Sequence, residues 1–341
     1  MNDTATISVS ALSVPWQTAD PFLFCMYHED FFPPGNEDLG PDASLQGRQI
    51  GNDFSGSDGW RMYHGDTVPG FPAHPHRGFE TVTVVRRGLV DHADSLGAAG
   101  RYGGGDTQWL TAGRGVQHSE MFPLLQAGQD NTLELFQIWL NLPGAGKMAE
   151  PHFAMFWKEA MPIVQTADTA GRTTEIEIIT GALGTHRPLL PPPASWAANP
   201  ANDVAIWVIR MAPRAQWTLP ATQRGSNRSL YYYKGATLRI SGADLAPLQR
   251  IELVPDVDVP LTNGGTESYL LLLQGRPINE PVAQYGPFVM NNRAELQQAF
   301  ADYQQTQFGG WPWPRRDQVF PRSRGRFARH ADGHTEEKEP G

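Results

Sequence analysis

The chain has 341 residues, 40% hydrophobic and 18% charged, with a formal net charge of −9. That balance belongs to a globular protein and excludes a chain-wide nucleic-acid surface, so no direct nucleic-acid binding is expected. Cys25 is the only cysteine, which excludes an internal disulfide and thiolate metal cages and fits a reducing compartment.

Glycine (35) and proline (29) favour many short strands joined by turns over long helices. Residues 1–4 carry no basic targeting region, and the apolar run over 21–27 is too short to span a bilayer. The expectation is a cytoplasmic protein with no membrane partner.

Residues 1–70 are rich in turn residues, with strands predicted near 22–27 and over 60–64. The next strand carries His74 and His76 and runs through the β-branched stretch 81–85 to Gly88. Strand side chains alternate, so His74 and His76 share a face, which Glu80, Val82 and Val84 continue. Short strands follow at 89–92 and 107–111, with a glycine turn at 103–106 between them. A second turn at 113–115 leads into His118 and Glu120, which repeat the i, i+2 spacing. Residues 133–142 read as a long strand. Strands at this spacing predict an all-β sandwich or barrel.

Residues 151–202 read as a connector, proline-rich over 188–193, with a strand at 174–180. Strands resume at 204–210, 229–233 and 268–273. Residues 76–88 align with 227–235, an internal repeat in which Gly225 and Asn227 stand near the two histidine positions. No His or Glu lies between Leu253 and Leu261, so the second copy keeps the fold and lacks the metal ligands. A helix begins at Asn292 with Glu295 three residues on, and Leu296, Ala299, Phe300 and Tyr303 share one face. The domain division is therefore 1–150, 151–202, 203–310 and a tail over 311–341. Arg315, Arg316, Arg322, Arg324, Arg326 and Arg329 read as part of a solvated tail, and residues 325–341 are expected to be poorly ordered.

Two His-bearing strands brought together in a barrel would converge His74, His76, His118 and Glu120 on one point. Neutral imidazole and carboxylate suit Fe(2+), and equally Ni, Cu, Mn, Co or Zn. Four such ligands leave positions open on a six-coordinate ion, the mark of a catalytic site. Glu80 has the parity of a ligand or of an acceptor orienting an imidazole. His64 and His92 read as structural or surface residues, with a place near the site open to either, and His152, His186, His330 and His334 have no partner pattern. Residues 231–233 (Tyr-Tyr-Tyr), Trp311 and Trp313 read as core aromatics, and Cys25 as an inert buried thiol.

The run His74-Pro75-His76-Arg77-Gly78-Phe79-Glu80-Thr81 resembles the pirin family. So do Gly113-Arg114-Gly115-Val116-Gln117-His118-Ser119-Glu120, Gln137-Ile138-Trp139-Leu140-Asn141-Leu142 and Tyr285-Gly286-Pro287-Phe288-Val289-Met290-Asn291. An insertion around 28–60 and the tail after 310 depart from the pattern. The resemblance implies a bicupin: two cupin (jelly-roll) barrels packed face to face, a short C-terminal helix, and one metal in the N-terminal barrel. It places the metal ligands on His74, His76, His118 and Glu120, with Glu80 a non-ligand. Some members resemble quercetin 2,3-dioxygenases, which open the central ring of a flavonol with dioxygen and release carbon monoxide. The expected function is thus an iron-dependent dioxygenase acting on a small aromatic substrate with dioxygen, Glu120 serving as catalytic base. The alternative is an iron- and redox-sensing transcriptional co-regulator that binds a protein partner.

Overall fold

The computed structural model describes residues 5–338; residues 1–4, read above for targeting, and 339–341, the end of the acidic tail, lie outside the described residues. The chain is nearly all β and forms two compact units, each made of discontinuous segments. One joins Met1–Cys25 to Glu159–Asn279, and the other joins Met26–Lys158 to Glu280–Gly341. The linear division expected from sequence is corrected accordingly.

In the first unit a seven-stranded antiparallel sheet has Thr6–Ala11 at one edge, paired to Gln249–Leu253. Asn227–Lys234, Ser268–Gly275 and Ala205–Met211 form its centre. A four-stranded sheet containing Leu238–Ile240 and Val259–Asn263 supplies the other wall. The alternating apolar faces meet in one core, where Ile209, Leu230, Tyr232, Leu261 and Leu272 are buried. Residues 151–202 are not a free connector: His152–Phe156 pairs with Thr107–Thr111, and Thr173–Thr180 lies between Ala205–Met211 and Ile163–Ala167.

The second unit holds both histidine motifs. Its five-stranded sheet orders His152–Phe156, Thr107–Thr111, Phe79–Arg87, Asn131–Asn141 and Phe22–Phe32. Its six-stranded sheet runs from Thr335–Lys338 through Arg326–Arg329, Ala99–Gly103, Leu89–Asp94 and Val116–Met121 to Gly70–His76. The strand expected to run unbroken from His74 to Gly88 is two strands in two sheets. The break is at Gly78, whose φ of +87° suits glycine alone, and an added Cβ would lie 1.9 Å from the Val289 carbonyl oxygen. Lys147 Nζ, buried, locks this turn by donating to the carbonyls of Gly78 (2.9 Å) and Val289 (3.2 Å) and to Asn141 Oδ1 (2.7 Å). The predicted strand at 60–64 is also absent; Tyr63 has a φ of 58° and makes only isolated bridges.

The helix Arg293–Thr306 is capped as expected, Asn292 Oδ1 accepting from the Glu295 amide at 3.0 Å. Its apolar face, Leu296 and Ala299, packs on Phe288, Met290 and Phe308 within the histidine-bearing unit.

The tail, expected to be poorly ordered, instead supplies two strands. Phe327 pairs with Arg101 and Ala328 with Gly100. Buried charge explains this: Arg101 forks onto Asp91 at 2.7 Å on both arms and donates to the carbonyls of Phe320, Pro321 and Arg324. Arg326 likewise pairs with Asp106 at 2.7 Å. Upstream, Ala73 donates its amide to the Arg316 carbonyl at 2.8 Å, so the tail covers the edge of the strand that carries His74. No helix among the described residues is long and apolar enough to cross a membrane.

Candidate metal centre

Gly70–His76 pairs antiparallel with Val116–Met121 and sets His74 directly opposite His118. A register irregularity between Phe71 and His74 re-aims this end of the strand. The three rings form a triangle, with centroids 4.8 Å (His74–His76), 4.5 Å (His74–His118) and 4.9 Å (His76–His118) apart. One ring nitrogen from each can be chosen so that all three lie within 4.8 Å of one another.

Hydrogen bonds to carbonyls set the tautomers. His74 Nδ1 lies 2.9 Å from the Pro72 carbonyl and His76 Nδ1 3.4 Å from that of Pro287. A carbonyl only accepts, so each Nδ1 carries the proton and each Nε2 keeps its lone pair. Burial lowers the pKa of all three imidazoles, His74 to about 4 and the other two well below the usual value. They are neutral, ligand-ready bases at pH 7.

His118 provides the test of fit. It is fully buried, yet neither ring nitrogen has a hydrogen-bond partner. Buried polar atoms are rarely left so, and a missing ion is one of the few explanations. The three converging neutral imidazoles of His74, His76 and His118 suit a first-row divalent metal.

Glu120 sits two residues on, its Oε2 3.9 Å from His118 Nε2. The Thr83 hydroxyl donates to its Oε1 at 2.8 Å and the Gln137 amide to its Oε2 at 2.9 Å. Burial raises its carboxyl pKa, and the hydrogen bonds from Thr83 and Gln137 act against that rise. Glu80 lies on the other side of the Gly78 break and is buried, where Thr111 Oγ1 donates to it at 2.6 Å. Neither Glu80 nor Glu120 is part of the group of converging ligand atoms, which among the described residues is His74, His76 and His118 alone.

His92, read as structural or surface with a place near the site left open, is structural and lies near the site. It is completely buried, 5.5 Å ring to ring from His118, with Nε2 3.3 Å from Asp94 Oδ2. The signal was present: His92-Ala93-Asp94 repeats the His-x-acid spacing, and its strand pairs His92 with Glu120. Thr83 and Gln137 carried no such signal, because they are ordinary strand residues until the sheets close. Around the cluster stand Phe71, Phe79 and Trp139; the Trp139 ring lies 5.4 Å from His76. His64 is exposed, its Nδ1 2.7 Å from the Gly51 carbonyl, while His330 pairs with Glu336. Tyr231 and Tyr232 are core residues, and burial pushes the Cys25 thiol far above its reactive range. Trp313 donates to the Asp94 carbonyl at 2.7 Å.

Residues 45–140 match the family model described as Pirin, and residues 206–309 match that of the Pirin C-terminal cupin domain. A pirin-like protein of Caulobacter vibrioides is 36% identical over 245 residues, covering 71% of this chain and 82% of the relative. A Pseudomonas aeruginosa protein provisionally named quercetin 2,3-dioxygenase is 35% identical over 240 residues, covering 70% and 79%. Among solved structures, a quercetin 2,3-dioxygenase from Acinetobacter baumannii matches with a TM-score of 0.68 and 24% identity, over 89% of this chain and 98% of that one. That likeness concerns the fold. Matched in both of its cupin domains, and at this identity to relatives over more than two thirds of its length, the chain belongs to the pirin family.

Proposed function

We propose that this pirin holds one divalent metal, iron(II), on His74, His76, His118 and Glu120, and acts as a dioxygenase on small aromatic enols of the flavonol type. The observation that carries the reading is the pair of unpartnered nitrogens on buried His118, placed where two other imidazoles converge. Support for the reaction type comes from the name borne by the Pseudomonas aeruginosa relative.

An iron ion would supply Lewis acidity toward a substrate hydroxyl and redox chemistry toward dioxygen. The protein's own groups do the rest. The imidazoles arrive deprotonated because burial disfavours their charged forms. Glu120 Oε2 faces the cluster and accepts the enol proton, a task helped by the upward pressure of burial on its pKa. Thr83 and Gln137 keep the carboxylate from rotating away. Phe71, Phe79 and Trp139 give a flat substrate apolar walls and limit water.

Iron-loaded protein is expected to consume oxygen with quercetin and to bleach its visible absorbance. His118→Ala should lose bound metal by elemental analysis together with both signals. Undiminished turnover in that variant would overturn the proposal.

A further inference from the structure

The tail helps to line a cavity that the metal chemistry does not use. Its volume is about 400 Å³, within the range of small-ligand sites, and its lining includes Phe122, Leu124, Leu133 and residues 322–326. Residues 322–326 lie outside both family-model matches, so this wall belongs to the chain's own extension.

The charges of the wall are unevenly compensated. Arg101 and Arg326 also line the cavity, but each is already forked onto an aspartate, Asp91 and Asp106. Arg322 is different: the partners of its guanidinium are the carbonyls of Asn36, Leu124 and Leu125, and among the described residues no carboxylate pairs with it. Arg324 pairs through Nη2 with Glu337 and rests over the Phe327 ring at 4.3 Å, yet its Nε–H is buried with no acceptor. The one acid in the lining, Asp130, is exposed. Arg322, the one lining guanidinium without a carboxylate partner among the described residues, and one unused donor on Arg324 thus stand in the same lining as the apolar Phe122, Leu124 and Leu133, with Asp130 the one opposing charge.

We propose that this cavity binds a small amphiphilic carboxylate, its anionic end between Arg322 and Arg324 and its aryl or short alkyl body against Phe122, Leu124 and Leu133. Guanidinium groups favour carboxylates because the planar donor fork matches the two oxygens. An apolar pocket holds the body and rejects a fully polar anion.

The experiment is calorimetric titration of the full-length protein with 3-phenylpropionate, octanoate and 3-phenylpropanamide. Either acid should bind at least tenfold more tightly than the neutral amide. Arg324→Gln should weaken acid binding about tenfold, and Leu89→Trp, which fills the cavity at its rim, should abolish it; the second variant decides the matter if the first does not fold. His118→Ala must leave acid binding intact. Loss of binding there would mean that the acids sit at the histidine cluster and would overturn the proposal, whatever the fate of the dioxygenase reading. Equal binding of acid and amide, no effect of Arg324→Gln in a folded protein, or no binding of either acid at millimolar concentration would overturn it as well.

Discussion

The Gln137 side-chain amide donates to Glu120 Oε2 at 2.9 Å, from a strand in the sheet facing the one that carries the glutamate. Both oxygens of this carboxylate are thereby held by the facing sheet, because Thr83, on the same sheet as Gln137, donates to the other one. Replacing Gln137 by Leu keeps the volume and removes the donor. The buried oxygen left unpaired should cost about 1–3 kcal/mol. Urea unfolding of metal-free protein would show it. Metal affinity, measured by chelator competition, should fall about 10–100-fold, as when other supporting partners of a ligand are lost. Unchanged values in both measurements would show that the glutamate's orientation is set elsewhere.

Acid should destabilise the metal-free protein through a buried imidazole. His28 Nδ1 lies 2.8 Å from the Tyr63 hydroxyl, and that hydroxyl donates to Asp30 at 2.5 Å, so the imidazole is a neutral donor in the core. Burial, with Arg61 second, depresses its folded pKa to about 3 from an ordinary 6.5. The stabilisation from its neutrality is complete above pH 6.5. It is lost as pH falls toward 3, because only the unfolded chain takes up the proton there. The slope from this residue alone approaches about 1.4 kcal/mol per pH unit. His28→Gln should flatten the stability profile between pH 6 and 4; an equally steep profile would remove His28 as its cause.

The tail should contribute heavily to stability through one ion pair. Arg101 and Asp91 are buried, and the same guanidinium holds three tail carbonyls. Asp91→Asn leaves the cation without its counter-charge, at an expected cost of about 3–5 kcal/mol. A urea midpoint within error of wild type would contradict this.

Gly78→Ala tests the turn between the sheets. The positive φ and the approach to the Val289 oxygen together predict a loss of about 3 kcal/mol. Since His76 is two residues away, metal content should fall in parallel. A folded, fully metallated alanine variant would show that the turn can relax.

Much of this was legible in the sequence because local rules and tertiary structure agree. The strand Thr107–Thr111 and the Asn292 cap fall where turn and capping residues put them. His74 and His118 are brought together as their spacing implied, since period-two alternation survives strand pairing. The break at Gly78 was hidden, because a glycine shortly before a β-branched run looks tolerable until the crossing carbonyl of Val289 is known. The tail was misread for a similar reason. Arg326 looks solvated by composition, and only Asp106, 220 positions earlier, makes it a core residue.

The interleaving of segments has a consequence for biosynthesis. The strand Arg326–Arg329 completes the sheet that holds the histidines, whereas Thr6–Ala11 waits for Gln249–Leu253. Neither unit can finish on the ribosome as its own stretch emerges. A fragment cut after residue 150 should aggregate, and loading of the ion should be a late event that follows release of the whole polypeptide.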